Sequence, residues 1–139
     1  MVVRAVWPTA EGRPFFANLK VMRATLQALE AALGVGGRVR AWVFLEDRFA
    51  FVAEGGGDLS GRLAEARSRA EERFRAENGQ ALWGPVVEEV EVAGPPDVVT
   101  RPLVQMPVAA GLAQHPDEYP WCGGEWLVGI TGDTTGRRG

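Results

Sequence analysis

The order of apolar patterns along this 139-residue chain is strand–helix–strand–strand–helix–strand. It predicts an α+β fold, an antiparallel sheet with helices packed on one face, in the ferredoxin-like split βαβ layout. Three observations carry that prediction. The stretch Gly37–Glu54 (GRVRAWVFLEDRFAFVAE) alternates with a period of two, in two runs around Glu46-Asp47. Two other stretches, Leu19–Leu33 and Leu59–Phe74, repeat apolar residues at threes and fours, which puts them on one side of a helix. A strand-like run precedes the first of these and another follows the second, with no domain linker or internal repeat between them.

Val2–Trp7 (VVRAVW) reads as the first strand, ended by Pro8, and Thr9–Pro14 as a polar loop. Asn18 is placed to cap a helix reaching Leu33, because its side chain can accept a bond from an unpaired first-turn N–H. Leu19, Met22, Leu26, Leu29 and Leu33 form its apolar stripe. Gly34 suits a left-handed cap at its end. The run Gly34-Val35-Gly36-Gly37 lacks the lysine of a phosphate loop and opens no helix, so it reads as a helix stop.

The hairpin strands are Arg38–Leu45 and Arg48–Ala53. Val39, Ala41, Val43 and Leu45 share one face; Arg38, Arg40, Trp42 and Phe44 share the other. After the Gly55–Gly57 link, Asp58 is expected to cap a second helix over Leu59–Glu77. Leu59, Leu63, Ala66, Ala70 and Phe74 give its buried stripe. Its outer face interleaves Arg62, Arg67, Arg69, Arg73 and Arg75 with glutamates, including Glu65–Arg69 and Glu71–Arg75 at helical spacing. Val86–Val92 alternates as a fourth strand. Asp97–Leu112 holds the last helical material, which Pro102 and Pro107 are expected to split into two short pieces, since an interior proline costs ~3 kcal/mol or more. His115–Trp126 is an aromatic loop, and Trp126–Ile130 adds a short strand. Residues 1–130 read as one domain and residues 131–139 as a mobile polar tail.

Composition excludes several classes of function. Cys122 is the only cysteine and His115 the only histidine, so neither an internal disulfide nor a multi-histidine metal site can form. No apolar run approaches the ~18 residues that span a bilayer, and the N-terminus lacks a signal-peptide pattern; a soluble, cytoplasmic protein is expected. The formal charge of −3 opposes strong non-specific DNA binding overall, but leaves room for a local basic face.

Met106–Trp121 (MPVAAGLAQHPDEYPW) is the most specific stretch. It resembles a segment of the REP-associated tyrosine transposases, of the HUH-type single-strand DNA transposase family, whose usual pattern is NPVRAGL followed by HPEDYPW. The resemblance runs from about Val3 to Trp126. Gly12–Leu29 looks like that family's first helix and its approach, Gly57-Asp58-Leu59-Ser60 like the start of its second helix, and Gly79–Trp83 (GQALW) like its GxLW segment. The resemblance implies a ferredoxin-like domain, commonly a dimer whose sheets join. It also implies a chemistry. Two histidines hold a divalent metal on the scissile phosphate, a helical tyrosine attacks, and an Asn or Gln four residues later completes the metal site.

Carried over by position, the family's hairpin motif MPNHVHLL falls on Leu45–Val52, so the two histidine positions are Arg48 and Ala50. The family's Asn falls on Met106, and its tyrosine on Pro102. None of the four residues can do the work of the one it replaces. Tyr119, the only tyrosine, matches a non-catalytic tyrosine of the pattern and reads as a packing residue. Glu46 and Asp47 read as a solvated turn.

The resulting expectation is a catalytically inactive, transposase-like domain that binds single-stranded or hairpin DNA as a homodimer, without metal or other cofactor. Arg48 would stand in the old metal site, with Arg40, Arg62, Arg69 and Arg73 supplying further phosphate contacts and Trp42 or Trp83 as stacking platforms. The alternative is a protein-interaction or scaffold module that no longer binds DNA, favoured by the acidic pI and by Glu88-Glu89-Val90-Glu91.

Overall fold

The hairpin is the centre of the sheet. In the computed structural model, which describes residues 1–115 and 118–127, β2 (Arg38–Leu45) and β3 (Arg48–Glu54) flank a turn at Glu46-Asp47. Strand β1 (Val2–Pro8) pairs antiparallel with β3, pairing Trp7 with Phe49 and Ala5 with Phe51. On its other side β1 pairs with β4 (Glu88–Glu91), and β2 pairs with β5 (Cys122–Gly123), both antiparallel. The order is β4-β1-β3-β2-β5. Its first four strands stand as the split βαβ layout requires.

The sheet buries residues on both faces, which explains why β3 is buried along nearly its whole length. On one face Ala5, Trp7, Phe44, Phe49 and Phe51 pack against α1 (Leu19–Leu33) and α2 (Leu59–Asn78). On the other face Ala41, Val43, Ala50 and Val52 pack against α3 (Pro96–Ala109). The first helix pair thus covers one face as expected, and α3 adds a cover on the opposite one.

The hairpin's alternation is interrupted once. Val39 pairs with Ala53 and Ala41 with Val52, so Arg40 is the extra residue of a bulge. Val39 therefore packs on the α1–α2 face while Ala41 and Val43 face α3, a correction to the single apolar face read from the strand.

Other corrections are local. In α1 the Asn18 side chain caps Lys20 N at 2.8 Å, but the buried stripe is Met22, Thr25, Leu29, Ala32 and Leu33, with Leu19 exposed. Packing against α2 rotates the buried side by part of a turn. Asp58 makes no side-chain cap on α2; its carboxylate is taken by Arg62 at 2.6 Å. Gly79, at φ 70°, closes α2 in the left-handed region that glycine enters without strain. Strand β4 is four residues long, shorter than Val86–Val92.

The two expected helical pieces after Asp97 are one helix. Pro96 occupies its first turn, where the missing N–H costs nothing. Val99, Leu103, Val104 and Pro107 bury against the sheet, and that burial outweighs the two lost helical bonds. The carbonyl that Pro102 leaves without its usual donor belongs to Val98, itself half exposed and within reach of water. The last strand is Cys122–Gly123 and residues 125–127 are helical, so the strand placed at Trp126–Ile130 does not form where the chain is described. Residues 128–130 and the tail 131–139 lie outside the described residues.

Candidate nucleic-acid interface

The turn between β2 and β3 is fastened from outside. Thr9 N donates to Asp47 O at 2.9 Å and Phe16 N to Glu46 O at 2.9 Å, while the Thr9 hydroxyl donates to Arg13 O at 2.7 Å. A turn whose two carbonyls are both taken holds the next side chain in a defined place. That side chain is Arg48, 44% exposed, with Nε and a terminal nitrogen 3.2 and 3.3 Å from the Asp47 carboxylate. Beside it opens a groove of about 560 Å³. Leu45, Pro14, Met106 and Leu112 give it apolar walls; Glu46, Asp47 and Arg48 stand along it.

Two of the four positions that the resemblance marks as catalytic meet here, Arg48 from β3 and Met106 from α3. Ala50 lies two residues further along the same face of β3, fully buried in the core under α3. Pro102 is on the exposed side of α3 and does not line the groove. None of these side chains offers a carboxylate, amide or imidazole. Among the described residues, no three His, Cys, Asp or Glu side chains stand together to hold a metal ion. The groove's charges are two carboxylates and one guanidinium, so a phosphate entering it must displace Asp47 from Arg48.

The other candidate arginines are not gathered around this groove. Arg40, on the bulge, is four-fifths buried and held by Glu54 (2.7 Å from Nε) and by Glu125. The hydrogen bond to Glu54, despite partial burial and with help from Glu125, raises its guanidinium above the ordinary arginine range. Its charge is already spent twice. Arg62 donates to Ala32 O at 3.0 Å and Leu33 O at 3.3 Å, the carbonyls that the end of α1 leaves open. It is a clamp between α2 and α1, and it holds the Asp58 carboxyl below the usual carboxylate range through their hydrogen bond. Arg69 pairs with Glu65 at 2.8 Å and Arg73 with Glu77 at 3.4 Å, on the exposed side of α2 and on the sheet face opposite α3.

The two proposed stacking tryptophans are packing residues. Trp42 lies edge-on to Phe44, and Trp83 donates its indole N–H to Arg67 O at 3.1 Å while packing edge-on against Trp7. Arg67, read from the sequence only as one of the outer-face arginines of the second helix, sits over the Trp7 ring at 5.2 Å and pairs with Glu89, which also accepts from Trp7 Nε1 at 2.9 Å. Only the register β1–β4, which pairs Ala5 with Glu89, puts that glutamate there. Tyr119 donates its hydroxyl to Phe44 O at 2.5 Å. Burial chiefly, with nearby Cys122 and Glu46, pushes its pKa up to about 12. It is a packing tyrosine.

No family profile matches the chain, and no curated protein is significantly similar to it. Solved structures are. A REP-associated tyrosine transposase bound to a REP hairpin superposes with a TM-score of 0.69 at 16% identity, over 87% of this chain and 74% of that one. A protein of Deinococcus radiodurans R1 described as a transposase superposes with a TM-score of 0.57 at 13% identity, over 81% of this chain and 92% of that one. This chain therefore has the fold of the REP-associated tyrosine transposases.

Proposed function

We propose that this chain is a DNA-binding domain on the transposase fold that has lost the strand-cleaving chemistry. Its ligand is single-stranded or hairpin DNA. The carrying observation is that Arg48 and Met106, which stand where the resemblance puts a metal ligand and its amide partner, face one groove and carry no group for that chemistry. The only tyrosine has its hydroxyl engaged 2.5 Å from a backbone carbonyl, which removes the nucleophile as well.

The groove's apolar walls suit an unstacked base or a sugar better than a phosphate, with Arg48 at its edge reaching the adjoining backbone once Asp47 lets go. Arg69 and Arg73 belong to a second, weaker surface. Their exposed pairs are worth at most about 1 kcal/mol each and exchange readily for phosphate. Arg40 and Arg62 act within the fold.

The test is fluorescence anisotropy of labelled hairpin DNA with a single-stranded extension, at two salt concentrations, with EDTA and Mg²⁺ arms. Salt-sensitive binding that ignores EDTA supports the proposal. No binding at low salt retires it in favour of a protein-interaction module, a reading favoured by the internal pairing of the α2 arginines and the exposed Glu88 and Glu91 of β4. In either case a homodimer made by joining sheets needs an open strand edge on each chain.

A further inference from the structure

Helix α3 covers only part of its sheet face. It packs on β2 and β3, over Ala41, Val43, Ala50 and Val52. The same face continues across β1 and β4, where Val2 and Val6 are half-buried and Val90 is 45% exposed. The ladder register fixes which residues lie on this open half. Val3, Ala5 and Trp7 pack under α1 and α2, so Val2, Arg4, Val6 and Pro8 point the other way. Arg4 pairs with Val52 on β3 and with Val90 on β4, which puts it in the middle of that face.

Arg4 differs from most arginines of the chain. Arg13, Arg48 and every arginine of α2 hold a carboxylate, and Arg40 holds two. Among the described residues Arg4 holds none, and no hydrogen bond engages its guanidinium. Its neighbours on the face are all valine: Val2 and Val6 along β1, Val52 and Val90 across the two ladders. Such a side chain lays its stem on apolar surface and keeps its charge in water, ready for an anion. Two carboxylates stand near. Glu54, opposite Val2 on β3, is engaged by Arg40, and Glu88, opposite Val6 on β4, is exposed at the outer border.

Arg48 stands at the end of the same face. It pairs with Pro8, so it is one strand over from β1 and four residues along from Arg4. At about 3.3 Å per residue and about 4.8 Å between strands, the backbones of the two arginines are about 14 Å apart. Between them lie Val6 and Pro8, with Ala50 beside Val6, and no charge. The groove beside Arg48 is thus followed along β1 by an apolar strip that ends at a second arginine.

We propose that this strip is the path of the single-stranded part of the DNA. The strand leaves the groove at Arg48, lays sugars and base faces over Pro8 and Val6, and brings a further phosphate to Arg4. The inference rests on the DNA-binding reading above, and adds to it a direction and a phosphate-binding residue that the resemblance does not mark. Apolar contact along the strip accepts any base, and the two guanidiniums hold the backbone at two points without reading sequence. Glu88 confines the path, because its carboxylate repels a strand that strays over β4 and turns it toward α3.

The test uses labelled hairpin DNA carrying single-stranded extensions of increasing length at either end, titrated by anisotropy with wild type, Arg4→Gln and Arg4→Lys. Wild-type affinity should rise with extension length and level off once the strand reaches Arg4. On the long extension Arg4→Gln should bind about three- to tenfold more weakly, with a log–log salt slope flatter by about one, and on the shortest it should match wild type. Arg4→Lys should keep most of the affinity, since a phosphate contact needs the charge more than the fork. A second readout uses the unaltered protein and so does not depend on a variant folding. Phosphates of the extension are replaced one at a time by neutral methylphosphonates. One position should matter to wild type and not to Arg4→Gln, and it should differ from the position that ceases to matter in Arg48→Ala. Wild type that binds the bare hairpin and every extension equally overturns the path and leaves DNA binding standing, as does an Arg4→Gln loss that is the same at all lengths. No wild-type binding to any of these DNAs overturns both.

Discussion

The Tyr119 hydroxyl stands 2.5 Å from the carbonyl oxygen of Phe44, so the chain's only phenol is a hydrogen-bond donor to the strand that carries the hairpin. Its raised pKa has a direct consequence. The folded chain keeps this proton up to about pH 12, whereas the unfolded chain releases it near 10. The folded state thus binds more protons across that window, and stability falls as pH rises from about 10 toward 12. Because the chain has one tyrosine, tyrosinate absorbance titrates a single site. A midpoint near 10 in the folded protein would break the assignment. Tyr119→Phe is expected to cost about 1–3 kcal/mol in denaturant titrations, the usual cost of stranding a buried carbonyl, and to leave no trace in any DNA-cleavage assay.

Arg48 and Asp47 make an opposed pair of predictions. Arg48→Ala should weaken hairpin-DNA binding by roughly three- to tenfold and flatten the log–log salt slope by about one. Asp47→Asn removes the carboxylate that Arg48 now pairs with, so it should tighten binding at low salt. Anisotropy titrations of both variants decide the matter. An Arg48→Ala protein that binds like wild type would take this residue out of the interface.

Arg62 separates the structural arginines from the binding ones. Its guanidinium serves two open carbonyls of α1, and charged bonds of this type contribute about 1.5–3 kcal/mol. Arg62→Ala should lower the denaturant midpoint by an amount in that range while DNA affinity stays put. The reverse result, lost affinity at unchanged stability, would return Arg62 to the DNA surface.

Pro102 tests why α3 is a single helix. It is exposed and leaves Val98 O without its helical donor, so burial elsewhere in α3 must offset its cost. Pro102→Ala restores the bond and should stabilise the fold by about 1–2 kcal/mol, the helical gain reduced by the greater freedom of the unfolded chain. Leu103→Ala removes part of the offsetting burial and should cost about 2–5 kcal/mol. Both are read from denaturant midpoints, and an unstable Pro102→Ala protein would refute the account.

Local pattern was enough for much of this. A period of two marked β2 and β3, spacing at threes and fours marked α1 and α2, and the stripe Leu59, Leu63, Ala66, Ala70 and Phe74 is buried as read. The motif register put Arg48 and Met106 in view as related positions, and they do line one groove. The stripe of α1 was read less well, because which side of a helix faces inward depends on its neighbour.

The amino-acid sequence by itself determined the first four strands, the first two helices and their order, and the absence of histidine and tyrosine from the positions the resemblance marks as catalytic. These depend on residues close in the chain or on plain identity. Tertiary structure alone decided the rest. Arg40 finds Glu125 across 85 residues, Trp7 finds Glu89 across 82, and α3 runs through two prolines because the sheet face beneath it rewards burial more than the helix loses in bonds. Such outcomes depend on energies summed over residues that are distant in the chain, and periodicity holds no record of them.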